Sequence, residues 1–181
     1  MLSIKIQENE LWDERNNRFV YIHEQVLKLE HSLISLQKWE SKWHKPFLKD
    51  NDKTEEELID YIKCMTINTN PVPEEVYLSL NRNQIEEITS YINNPMTAAV
   101  FYDTKHDKHS REIITAETLY YDMISLNIPP EYRKWHLNQL MALIRFCSIK
   151  NTPPKKMSKN EILSRNAELN RIRRQQLNTK G

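Results

Sequence analysis

At 181 residues, 28% charged and 39% hydrophobic, the chain has the make-up of one soluble folded domain with a single sizeable core, and a two-domain enzyme is not expected. Its net charge is only +1, and glycine occurs once, at Gly181, where an average chain of this length carries about a dozen. That scarcity excludes the glycine-dependent dinucleotide turn, the phosphate-binding loop and the nucleophile elbow, because each brings backbone closer to its ligand than a Cβ allows.

Leu2, Ile4 and Ile6 alternate with polar residues, and Phe19-Val20-Tyr21-Ile22 is rich in strand formers. The polar stretch Asp13-Glu14-Arg15-Asn16-Asn17 between them predicts a turn, and hence an N-terminal hairpin. Residues 22–43 carry helical spacing in Ile22, Val26, Leu29, Leu33, Leu36 and Trp43, yet Leu27-Lys28-Leu29-Glu30 alternates. A third short strand near 25–30, followed by a helix from Ser32 to about His44, satisfies both patterns. Thr54-Glu55-Glu56-Glu57 is a capping box that opens a helix over 55–66. Pro71-Val72-Pro73 breaks the chain before a short turn at 74–80. Asn83 with Glu86 predicts the start of a helix carrying Ile85, Ile88 and Ile92, which stops at Asn94-Pro95. Ala98-Ala99-Val100-Phe101-Tyr102 has strand-forming composition, and residues 103–109 are charged enough for an exposed loop.

Leu119, Tyr120, Met123 and Leu126 predict a helix over about 112–127. Pro129-Pro130 then primes a helix over 131–149, whose apolar residues, including Trp135, Leu140, Ile144 and Phe146, cover nearly its whole circumference. It is expected to be the centre of the core. Cys64 and Cys147 each sit in apolar helical patterns and are expected to be buried reduced thiols. Pro153-Pro154 closes the domain, giving a mainly α domain at 1–154 with a small N-terminal β element and a basic helical appendage at 155–181. In the appendage, Ser158 and Glu161 form a second capping box, and Ile162, Leu169 and Ile172 make a narrow apolar seam to about Leu177.

Charge is distributed unevenly. Eight cations, Arg165, Arg171, Arg173 and Arg174 among them, against two acids give residues 155–181 a net charge of +6, and the first 154 residues sum to −5. Such a tail can bind nucleic acid, dock on the acidic surface of a neighbouring copy, or be a solvated helix. The second is favoured, since no base-reading array accompanies the cations. Arg165, Leu169, Ile172, Arg173 and Arg174 are therefore the candidate partner-binding residues of the tail. Trp39 and Trp43 join them, because tryptophan concentrates at binding hot spots, although tryptophans at i and i+4 on an amphipathic helix are more often core.

Reactive constellations are weak. Glu40-Ser41-Lys42 matches the acidic-x-lysine element of metal-dependent nucleases, but three residues on a surface helix carry little weight. His106 and His109 are three apart with no further His or Cys nearby to complete a zinc site. Glu112, Glu117 and Asp122 are spaced by five and face different sides of a helix. No catalytic residue, cofactor or metal is expected. With no apolar run near the ~20 residues of a membrane span and no signal-peptide core, a cytoplasmic protein is expected.

The strings Lys38-Trp39-Glu40-Ser41-Lys42-Trp43, Asp60-Tyr61-Ile62-Lys63-Cys64-Met65-Thr66, Arg111-Glu112-Ile113-Ile114-Thr115, Lys134-Trp135-His136-Leu137-Asn138 and Pro153-Pro154-Lys155-Lys156-Met157-Ser158 stand out as wholes. With Leu29-Glu30-His31-Ser32-Leu33 and the ending Leu177-Asn178-Thr179-Lys180-Gly181, they give the chain a resemblance, over essentially its full length, to small proteins of tailed bacteriophages of Gram-positive hosts. The resemblance implies a tail assembly chaperone: a non-enzymatic, helical, self-associating protein that coats the tape measure protein until tail tube subunits replace it. The implied partners are the tape measure protein, the major tail protein and further copies of the chain. Its implied place is the host cytoplasm and not the mature virion. A structural tail or neck protein and a DNA-binding phage protein are the alternatives.

Overall fold

The structure, a computed structural model, describes residues 1–13, 17–49, 53–99, 113–152 and 159–177. Of these, 58% are helical and 15% lie in a small β element, so the class is mainly α. The chain divides into two compact units, Met1–Ser148 and Ile149–Gly181. The predicted boundary at Pro153-Pro154 lies outside the described residues.

The first unit opens with four strands, β1 (Leu2–Ile6), β2 (Asn9–Asp13), β3 (Arg18–Ile22) and β4 (Gln25–Leu29). β1 pairs with β4 from Leu2↔Leu29 to Ile6↔Gln25, and β2 pairs with β3 from Asn9↔Ile22 to Asp13↔Arg18. One register runs through both ladders, so they are the proximal and distal halves of a single long hairpin, broken at residues 7–8 and 23–24. Asn17 ends the turn with φ 51°, a left-handed position that asparagine tolerates in a chain so poor in glycine. In the proximal half Ile4, Ile6, Leu27 and Leu29 face the core. Thr66 then bridges to Leu29, while Ile67 N–H donates to the Lys28 carbonyl and the Asn68 side chain brackets β4 from Lys28 to Val26, which covers the outer edge of β4.

Helix α1 (Leu33–Trp43) starts at Ser32, whose hydroxyl accepts from Ser35 N–H while the Ser35 hydroxyl accepts from Ser32 N–H. It ends at His44, in the left-handed region with φ 52°. Helix α2 (Glu55–Met65) begins with the expected Thr54/Glu57 capping box. Together with β4 these helices hold the centre of the core: Leu27, Leu29, Leu33, Leu36, Tyr61, Ile62 and Met65 are completely buried. The Phe47 ring stacks on Tyr61 at 3.8 Å and meets Trp39 edge-on at 5.0 Å.

Residues 74–78 form a short helix, α3 (Glu74–Leu78), where a turn is predicted. Helix α4 (Arg82–Asn93) starts two residues earlier than predicted, because Asn81 and Gln84, not Asn83 and Glu86, exchange the capping bonds. The Gln84 amide also donates to the Lys5 carbonyl, tying α4 to β1. Residues 98 and 99 are not in a strand, and the rest of the predicted strand, the charged loop and the His106/His109 pair lie outside the described residues. Helix α5 (Ala116–Ser125) is shorter than the predicted 112–127, since Thr115 and Thr118 cap it.

Pro130–Lys134 is a 3-10 turn, and α6 (Leu137–Asn151) follows. This corrects the expectation of a continuous central helix at 131–149. Leu137, Leu140 and Ile144 are buried, whereas Trp135, Phe146 and Ile149 are exposed, so α6 packs along one face and the core centres on β4, α1 and α2. The second unit contains α7 (Lys159–Leu177), and Ser158 of its predicted capping box lies outside the described residues.

Candidate functional site

The Glu40/Lys42 pair does not converge. Glu40 is buried, and its carboxylate accepts from Phe47 N–H at 2.8 Å through Oε1 and from Ala116 N–H at 2.7 Å through Oε2. It joins the segment after α1 to the first turn of α5. Lys42 turns instead to Asp60, which also accepts from Trp43 Nε1–H at 2.8 Å. The Asp60 bond holds the Lys42 ammonium above its ordinary pKa. Lys45 pairs with Glu57, and that bond, helped by Thr54 N–H, holds the Glu57 carboxyl below its ordinary range. A depression of about 310 Å³ beside Glu40, His44, Lys45 and Thr115 is thus bordered by groups already engaged with one another. Among the described residues no set of three His, Cys, Asp or Glu is placed to hold a metal ion.

Trp39 is a core residue, 1% exposed, with Nε1–H donating to the Glu57 carbonyl at 2.9 Å. It has no face to offer a partner, which corrects its candidacy. Trp43 is half-buried, anchored by Asp60 and overlain by Lys42 and Lys45. Cys64 and Cys147 are free thiols and only half-buried, not buried. Partial burial and the charge of Asp60 push the Cys64 thiol up, away from reactivity. Glu117 is exposed and accepts from the Thr115 hydroxyl at 2.8 Å.

One polar cluster went unread in the sequence. His31 Nδ1 lies 2.6 Å from the Tyr61 hydroxyl, its ring is 5.0 Å from that of His136, and its carbonyl accepts from Leu137 N–H. His136 Nε2 lies 3.0 Å from the Tyr91 carbonyl, which can only accept, and its Nδ1 faces Asn138 N–H, which can only donate. The neutral Nε2–H tautomer is therefore the one that satisfies both partners. Tyr91 in turn donates to Glu30 Oε1 at 2.6 Å, and Glu30 Oε2 pairs with the Met1 amine. Burial lowers His31 to about 3, with His136 adding to the shift, and burial also lowers His136. Both rings are nearly inaccessible and tie β4, α2, α4 and α6 together, so the cluster is architectural.

Among the described residues, two of the exposed surfaces bear on binding. Beyond the break in the hairpin the core-facing set changes parity, so Leu11, Val20 and Ile22 turn inward while Glu10, Trp12, Phe19 and Tyr21 turn outward. Trp12 is 45%, Phe19 69% and Tyr21 49% exposed, and the Trp12 and Phe19 rings meet edge-on at 4.8 Å. Glu8 accepts from the Tyr21 hydroxyl at 2.9 Å, and this bond, with the charges of Glu8 and Glu10, raises the Tyr21 pKa. The second surface is α7, on which Ile162, Leu163, Leu169 and Ile172 are all exposed beside Arg165, Arg173 and Arg174. Trp39 and Trp43 belong to the first unit and the α7 candidates to the second. Comparison of the chain with protein-family models, curated proteins and solved structures finds no match.

Proposed function

We propose that the protein is a non-enzymatic tail assembly chaperone of a tailed bacteriophage, which binds the tape measure protein in the host cytoplasm and keeps it soluble until the tail tube forms around it. The observation that carries this reading is the exposure of α7, a basic helix whose aliphatic residues Ile162, Leu163, Leu169 and Ile172 lie in solvent. An exposed aliphatic stripe of this kind marks an interaction surface. The resemblance to small phage tail proteins supplies the partner. A tape measure is a long helical protein with apolar faces, and a coat of many weak contacts holds it soluble yet releases it when the tube arrives. In this reading Arg165, Leu169, Ile172, Arg173 and Arg174 of the basic helix make the contacts of the coat, toward the tape measure or a neighbouring copy of the chain.

Co-expression of the tape measure protein with the full chain and with a Leu169→Glu/Ile172→Glu variant tests the proposal. The full chain is expected to keep the tape measure in the soluble fraction, and the variant is expected to lose most of that effect. A tape measure that precipitates equally in both cases overturns the proposal.

A further inference from the structure

The chain carries two exposed surfaces of matching chemistry. The distal hairpin offers Trp12, Phe19 and Tyr21 on one face, flanked by the carboxylates of Glu8 and Glu10. Helix α7 offers aliphatic side chains interleaved with guanidinium groups. Guanidinium groups stack on aromatic faces and pair with carboxylates, and aliphatic side chains fill the gaps between rings. The surplus of +6 in residues 155–181 against −5 in the remainder of the chain favours the same pairing.

We infer that the aromatic face of the distal hairpin is the docking site for α7 of a second copy of this chain. The inference rests on the reading of α7 as the partner-binding element and names the surface that receives it. Donor and acceptor are different surfaces, so the contact is heterologous and copies join head to tail instead of closing as a two-fold dimer. Three aromatic side chains about half exposed present roughly 300 Å², well below the ~800 Å² per partner of a standard stable interface. Each contact is therefore weak, and a series of copies is held by their number and comes apart readily. A coat that must later be displaced by tube subunits has need of such contacts.

Two full-length variants test the inference without any tape measure protein: Trp12→Arg/Phe19→Arg, which spoils the acceptor, and Leu169→Glu/Ile172→Glu, which spoils the donor. All four positions are exposed, and far-ultraviolet circular dichroism with a melting curve verifies that both variants fold. In sedimentation velocity the wild-type chain is expected to associate beyond a dimer as concentration rises. Each variant alone is expected to associate about 30-fold more weakly or not at all. An equimolar mixture is expected to form a one-to-one complex and nothing larger, because each variant keeps the half that the other has lost. A wild-type chain that stays monomeric, a variant that self-associates like the wild type, or a mixture that stays monomeric overturns the inference. The first and last of these results also leave α7 without a second copy as its occupant. Tape measure solubility, measured separately with the same variants, shows whether the chaperone reading stands or falls independently.

Discussion

Buried His31 makes the stability of the fold depend on pH in a direction that follows from its environment. The folded protein holds the imidazole neutral down to about pH 3, while the unfolded chain takes up a proton below 6.5, so acidification favours unfolding. Stability is expected to be level above about pH 6.5 and to fall as pH drops toward 3, with about 2 kcal/mol lost to His31 by pH 5 and a further loss of the same sign from His136. Glu57, whose carboxyl is held low, contributes stability that is lost only in more acid solution, so the window from pH 5 to 6.5 isolates the histidines. Urea midpoints across that window measure the slope, and His31→Gln should flatten it; an unchanged slope would contradict the assignment. At Glu40, replacing the carboxylate with an amide turns one of two acceptors into a donor facing Phe47 N–H or Ala116 N–H. Glu40→Gln is expected to cost about 2 kcal/mol in denaturant unfolding, and a cost below about 0.5 would show that the two amides find other partners. His44, left-handed and exposed at the end of α1, is the opposite case: His44→Gly should stabilise by roughly 0.5–1 kcal/mol as the Cβ conflict disappears.

At the scale of elements, the position of α6 separates two accounts of the core. Leu140→Asp should unfold the first unit, because an unpaired charge would replace a completely buried side chain, whereas Ile149→Asp on the same helix should change stability by less than about 0.5 kcal/mol. Equal damage from both would restore the helix buried on most sides that its composition predicts. Leu36→Ala on α1 should cost about 2–5 kcal/mol, as expected at the centre of the core. The reason α6 misleads is that apolar residues all around a helix do not say how many of them become buried, and here Phe146 and Ile149 stay exposed. Elements whose signals are local were legible: the capping residues Thr54 and Glu57 announce α2, and Ser32 opens α1. An N-terminal hairpin was legible too, but β2, the pairing of Leu2–Ile6 with Gln25–Leu29 and the outward aromatic face were not. Phe19-Val20-Tyr21-Ile22 is apolar on both parities, and only the break at residues 7–8 and 23–24 decides which set turns to solvent. Glu40 was misread in the same way, since one of its partners, Ala116, lies 76 residues away in sequence. Trp39 could be assigned to the core only from its contacts with Phe47 and Tyr61.

At the scale of the whole molecule, the proposed association should depend on the separation of charge between the acidic first 154 residues and the basic remainder. Exposed charges are screened within about 10 Å at 0.1 M salt, so self-association should weaken as salt rises. DNA binding would weaken in the same way, and truncation separates the two. A chain ending at Pro154 is expected to lose self-association in the ultracentrifuge while a DNA gel shift stays unchanged; submicromolar DNA binding at physiological salt that disappears on truncation would reassign the basic tail to nucleic acid.

A chaperone differs from a tail or neck component in when it leaves. Counting copies of the protein per tape measure molecule by quantitative mass spectrometry, in assembly intermediates that lack the tube and in purified particles, reads that difference directly. Many copies per tape measure before tube assembly and almost none in finished particles is the predicted result. A fixed copy number retained in the purified virion would contradict the chaperone reading and identify a structural component instead.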